Sequence, residues 1–182
     1  MRIEQVGIDG PLLLIPEVHG DARGFFVETF RADEVADAGI REAFVQHNQS
    51  RSVRGTLRGL HFQVPPGQSK LVRVARGSIH DVVVDIRRES PTFGHHSTVR
   101  LDDVNHHQLY VPTGFAHGFC VLSAEADVVY IVSNYYDQAL DRGVAWNDPA
   151  LEIEWPVDGP VLSVRDQQNP PLASLGSDLT DW

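Results

Sequence analysis

Apolar residues along this chain come in short runs broken by Gly, Pro and Asp, not in the 3.6-residue stripe of long helices. Eight runs predict strands: Leu12–Ile15, Gly24–Phe30, Leu71–Ala75, Ile79–Ile86, His96–Leu101, Gln108–Val111, Ala116–Leu122 and Asp127–Ser133. Arg73 and Arg76 punctuate the third, which stops at Gly77. Val82-Val83-Val84 is apolar on both faces, as a central strand of a sandwich must be. The best helical segment is Ala32–Ala38, short and acidic, and a helical turn is expected near Pro149–Leu151. Short strands with turn signals every 8–12 residues predict a mainly β protein, a sandwich or barrel with few helices. From Pro156 the chain is rich in Pro, Asp and Ser, and its last dozen residues predict a peripheral tail.

Composition narrows the function. At 182 residues the chain suits a single domain spanning 1–182. Its 25 acidic residues against 15 basic ones give a net charge of −10, which argues against nucleic-acid polymers and anionic membranes as partners. Cys120 is alone, so no intrachain disulfide can form. Leu12–Ile15, cut off by Pro11 and Pro16, is too short for a signal sequence, and nothing approaches the roughly 20 apolar residues of a membrane span. The expectation is a cytoplasmic protein. Fourteen of the basic residues are arginine and Lys70 is the one lysine, where a chain of this size ordinarily carries about ten. A genome whose codons disfavour lysine would by itself produce the deficit; the retained lysine directs attention to its own surroundings.

Two histidines lie in glycine-rich contexts, Arg58-Gly59-Leu60-His61-Phe62-Gln63 and Pro112-Thr113-Gly114-Phe115-Ala116-His117-Gly118-Phe119. The second resembles a motif of the cupin superfamily of β-barrels, and Gly55 followed after five residues by His61 resembles its partner motif. A metal-binding cupin continues with His-x-His and a glutamate. Here Gln63 stands at the second histidine and Gln68 near the glutamate position. Zinc or iron needs about three good protein ligands, so no metal and no other cofactor is expected. A lone histidine most often serves a core. With Arg58 and Lys70 nearby and a barrel mouth to gather them, His61 is instead a candidate proton carrier.

The chain as a whole resembles the dTDP-4-dehydrorhamnose 3,5-epimerase family. The matching segments are Asp21–Glu28, Arg58–Gln63, Gln68–Val72, Asp81–Arg87, Ser90–Gly94, Gly114–Phe119, Trp146–Pro149 and Leu162–Asp166, in order across nearly the whole length. The resemblance implies a cupin-type jelly-roll and epimerisation of dTDP-4-keto-6-deoxy-D-glucose at C3′ and C5′ through an enolate. It implies that His61 is the general base, Asp166 the carboxylate paired with it, Tyr130 the general acid and Lys70 the cation beside the ketone oxygen. Arg23, Arg58 and Arg165 match positions that bind the diphosphate; Glu28, Gln46, Asn48, His117, Tyr136 and Asp141 match others that contact the nucleotide-sugar. Asp81 is expected to be a buried partner of one histidine. The resemblance also implies a homodimer, with N-terminal strands added to the partner's sheet.

Three positions depart from the family pattern: His47 where an acid is common, Gln138 where proline is usual, and Asp141 where glutamate is usual. They bear on substrate detail near that loop. A relative that epimerises one carbon only would share His61, Asp166 and Tyr130. A non-catalytic nucleotide-sugar-binding cupin would be expected to lack the base or the acid, and a metal-dependent cupin is disfavoured by Gln63.

Overall fold

The computed structural model describes residues 1–179 and 182. Its strands are β1 (Arg2–Val6), β2 (Ile8–Ile15), β3 (Val18–Asp21), β4 (Gly24–Val27), β5 (Gln46–Val53), β6 (Leu57–Gln63), β7 (Lys70–Arg76), β8 (Ser78–Asp85), β9 (His96–Asp102), β10 (Gln108–Val111), β11 (Phe115–Val121), β12 (Glu125–Val132) and β13 (Asp141–Gly143). Helix α1 spans Ala32–Asp37 and α2 Val164–Gln168. One sheet has the order β1-β2-β10-β7-β12-β5 and the other β13-β6-β11-β8-β9, while β3 and β4 form a separate hairpin. Neighbouring strands pair antiparallel throughout both sheets. This is the jelly-roll sandwich of the cupins. No described helix is long and apolar enough to cross a membrane.

Every run of apolar residues expected to be a strand lies on one, although the run from Gly24 leaves the strand after Val27. Alternation explains the packing. Val72 and Val74 of β7, Leu109 and Val111 of β10 and Val128 of β12 meet Ile79, Val83, Leu101 and Phe119 of the other sheet in the central core. Val82 and Val84 point the other way, into a second cluster with Leu60, Phe62, Ala116 and Val144. The valine triplet is therefore buried on both faces. Helix α1 is brief: Asp33 and Glu34 favour its N-terminus, and Gly39 at φ +89° ends it. Its Val35 joins Ile40, Leu14, Leu71 and Tyr110 on the outer face of the six-stranded sheet.

The C-terminal segment overturns one expectation. Leu172, Leu175 and Leu179 are buried in the second cluster and Trp182 packs against that cluster, so the described part of the last dozen residues covers the five-stranded sheet instead of trailing from it, while residues 180 and 181 lie outside the described residues. The three leucines recur at helical spacing through two 3₁₀ turns, Leu172–Ser174 and Gly176–Asp178. Each buried leucine contributes about 1.5–3 kcal/mol, enough to dock a segment whose composition reads as loop.

Candidate active site

Two strands missed by apolar patterning, β5 and β6, build part of the site. In β5 the side chains of Gln46, Asn48 and Ser50 alternate with exposed His47, Gln49 and Arg51, and the first three line a cavity of about 630 Å³. Here the inward face is polar, so the alternation carries no apolar signal. The apolar pattern of β6 is interrupted by Gly59, and that glycine has a reason. At φ +137° a Cβ on Gly59 would lie 2.5 Å from the Cα of Gly118, and one on Gly118 would lie 2.8 Å from the Arg58 carbonyl oxygen. Two facing glycines let β6 and β11 approach at a register shift that sets His117 opposite His61.

His61 and His117 reach the cavity from the five-stranded sheet; Tyr130, Lys70, Gln46 and Asn48 reach it from the six-stranded one. Tyr130 is in register with Asn48 on one side and Val72 on the other. Asp166 comes from far along the chain. A parallel bridge between Thr56 and Val161 lays the later segment beside the start of β6, and Ser163 caps α2 there, its Oγ accepting from the Asp166 N–H at 3.1 Å. Nε2–H of His61 donates to Oδ1 of Asp166 at 2.5 Å, and the Ser163 hydroxyl donates to Oδ2 at 2.9 Å. A carboxylate can only accept, so the proton sits on Nε2 and the neutral ring's other nitrogen is its basic one. Burial works against ionised Asp166, but the bond and charge of His61, with Ser163 and Arg165, hold its carboxyl below the ordinary value. A second pair lies alongside: Nε2–H of His117 donates to Oδ1 of buried Asp81 at 2.8 Å, as expected of a buried partner.

Lys70 begins β7 and donates from Nζ to the His61 carbonyl at 3.4 Å. Burial pushes its ammonium down to about 8, opposed by the charges of Asp141 and Asp81 and reinforced by Arg165. Burial also raises the Tyr130 hydroxyl, offset by nearby Arg58, so the phenol holds its proton at neutral pH. Asp141 ties the rim together: it accepts from Arg165 at 2.5 Å and from the Tyr136 hydroxyl at 2.9 Å. Arg58 donates to Ser52 at 3.0 Å.

Of the sequence-derived residues, His61, Asp166, Tyr130, Lys70, Gln46, Asn48, Arg58, His117, Tyr136, Asp141 and Arg165 line one cavity. Arg23 and Glu28 do not. Arg23 sits on the β3–β4 hairpin with its side chain 90% exposed and paired to Asp21, and Glu28 is exposed just beyond the hairpin. Ser163 was missed, although Ser-x-x-Asp before Gln167 is a readable helix-start pattern.

This cupin-type sandwich gathers a His–Asp pair, a protonated tyrosine, a lysine and two arginines in one cavity, groups with the chemistry to move protons and to hold an anion. The chain belongs to the dTDP-4-dehydrorhamnose 3,5-epimerase family, whose sequence profile matches residues 5–174. A dTDP-4-dehydrorhamnose 3,5-epimerase of Shigella flexneri is 48% identical over 168 residues, covering 91% of this chain and 93% of that protein. A dTDP-4-dehydrorhamnose 3-epimerase of Streptomyces niveus is 46% identical over 169 residues, covering 92% and 82%. The structure of dTDP-6-deoxy-D-glucose-3,5-epimerase from Legionella pneumophila Philadelphia 1, in complex with dTDP-4-keto-L-rhamnose, superposes with a TM-score of 0.95 at 42% identity, covering 99% of this chain and 97% of that one.

Proposed function

We propose that this chain epimerises dTDP-4-keto-6-deoxy-D-glucose at C3′ and C5′, and that its own residues carry each proton. The C4′ ketone acidifies the hydrogens on both neighbouring carbons. His61 removes one through the ring nitrogen not bonded to Asp166, and the electron pair moves into the ketone, giving an enolate whose oxygen is stabilised by the Lys70 ammonium. The Tyr130 hydroxyl returns a proton to the carbon from the opposite face, which inverts it. His61 then releases its proton to solvent and the Tyr130 phenolate regains one, so the cycle closes without net change.

The observation that carries this reading is the pairing of His61 with Asp166 at 2.5 Å in a cavity whose other wall bears Tyr130. Asp166 orients the imidazole and stabilises its charged form. Arg58 and Arg165 supply guanidinium donors for the diphosphate, while Gln46, Asn48, His117, Tyr136 and Asp141 contact the rest of the ligand. No cofactor enters this cycle.

In the same reading the enzyme is a cytoplasmic homodimer with residues 1–182 as one unit, and Arg23 and Glu28 serve the partner's cavity. The β3–β4 hairpin supports this: it stands apart from both sheets and exposes Phe25 and Phe26, apolar surface that a second copy would cover. Sedimentation equilibrium tests the dimer, and Arg23→Ala should weaken dTDP binding.

Proton NMR of the reaction in deuterated water tests the chemistry. Deuterium at both C3′ and C5′ is expected; deuterium at one carbon only would establish a mono-epimerase, the activity named for the Streptomyces niveus relative. A protein that binds dTDP but exchanges neither hydrogen would be a binding module.

A further inference from the structure

Gln63 and Gln68 stand where a metal-binding cupin would carry ligands, and the proton chemistry above uses neither. Gln63, only 5% exposed, lines the cavity two residues beyond His61, yet its Nε2 donates to the backbone carbonyl of Asp137 at 3.3 Å. Gln68 lines the cavity just before β7, and its Nε2 donates to the Asn134 carbonyl at 2.7 Å. Asn134 returns a bond from Nδ2 to the Gly67 carbonyl, also 2.7 Å. From β5, the Oε1 of Gln46 accepts the Tyr136 N–H at 3.0 Å. Amide side chains from three parts of the cavity thus converge on residues 134–137 of the β12–β13 connection.

Backbone hydrogen bonds pin the two ends of that connection, the Ser133 N–H to the Ser69 carbonyl at 3.0 Å and the Val64 N–H to the Leu140 carbonyl at 2.9 Å, and the amide side chains hold the stretch between them. No side chain from Ser133 to Leu140 is buried, so its position depends on hydrogen bonds instead of core packing. It carries Tyr136, which lines the cavity and donates its hydroxyl to Asp141. A carboxylate at position 63 or 68 would repel the carbonyl oxygen it faces. A neutral amide donates to that oxygen and adds no negative charge near a diphosphate.

We propose that Gln63 and Gln68 are positioning residues that latch the 134–137 segment, and through it Tyr136, against the bound nucleotide-sugar. The inference rests on the functional reading above for the identity of the ligand. Holding an unburied loop in its bound position removes an ordering cost from binding, so the latch acts on affinity. Tyr130 and His61 are fixed in the sheets, so it leaves the proton transfers alone.

The experiment uses the full-length protein with Gln63→Leu, Gln68→Leu and Tyr136→Ala, singly and combined. It measures dTDP affinity by calorimetry, and kcat and KM for the 4-keto sugar nucleotide. Each glutamine variant should weaken dTDP about 3- to 10-fold, the effect of losing one or two hydrogen bonds, and raise KM alike with kcat within about twofold. In the Tyr136→Ala background the glutamine changes should add less than about twofold, an epistasis that a purely structural role would not produce. Gln63→Met keeps the length of the side chain without its donor, and partly buried Gln68 carries the test if neither Gln63 variant folds. Unchanged dTDP affinity, full additivity with Tyr136→Ala, or loss of kcat at constant KM would each overturn the latch. A wild-type chain that binds no dTDP overturns the functional reading, a result distinct from variants that match a dTDP-binding wild type.

Discussion

Two His–Asp pairs sit on adjacent strands of one sheet, and they are built for different work. The His61 side chain is 28% exposed, and its partner arrives on a capped helical turn 105 residues away, with the second carboxylate oxygen satisfied by Ser163. The His117 side chain is 8% exposed, and its partner Asp81 is fully buried on the neighbouring strand β8. Among the described residues, Oδ2 of Asp81 has no hydrogen-bond partner. A proton carrier must meet substrate and solvent and must tolerate a change of charge, which the first pair allows. The second is a fixture: it locks one ring and sets negative charge near Lys70, at the cost of an unsatisfied buried oxygen.

Substitutions can break that contrast. The largest effect is expected for His61→Ala, which should cut deuterium wash-in by about 10³-fold or more while dTDP affinity, read by calorimetry, stays within a few-fold. Next comes Asp166→Asn, expected to lower kcat by about 10²- to 10³-fold, because the amide cannot stabilise the imidazolium; Ser163→Ala should follow the same direction more weakly. Steady-state kinetics compare the two.

Asp81→Asn should cost only about tenfold in kcat, and it carries a pH signature. A lowered lysine value means the ammonium persists below about pH 8 and is lost above it, so kcat should decline on the alkaline side of that point. Removing the Asp81 charge takes away support for the ammonium and should move that limb to lower pH. If Asp81→Asn were as severe as His61→Ala, the two pairs would be equivalent and the contrast would fail. The smallest effect is expected from chelation: prolonged EDTA treatment should leave kcat unchanged, whereas a metal held jointly by His61 and His117 would make it fall.

Much of the architecture is legible in particular residues. The runs around Val72, Val83, Leu109 and Val128 alternate or fill completely because one or both faces meet a core, and those strands are found where patterning puts them. Strand β5 is invisible to the same reasoning because its inward face, Gln46, Asn48 and Ser50, meets a ligand cavity instead of a core. Strand β6 is masked by Gly59, which closeness to Gly118 requires. The C-terminal leucines were hidden by Pro170 and Pro171 before them and the Ala, Ser, Gly and Asp between them, although Leu172, Leu175 and Leu179 share a helical spacing. Patterning reads cores, so it misses polar walls and short docked segments.

By itself the sequence determined the strand-rich class, the two glycine-flanked histidines, the retained Lys70 and the motifs that the family shares, because each is encoded within a few neighbouring residues. The tertiary structure alone decided which residues meet. It brought Asp166 to His61 across 105 residues, paired His117 with Asp81, and kept Arg23 and Glu28 outside the cavity of their own chain. It also turned Gln63 and Gln68 toward the carbonyls of a loop about 70 residues on. Local sequence sets chemistry and propensity; sheet order and register bring distant groups within a hydrogen bond of each other, and no short window of sequence contains them.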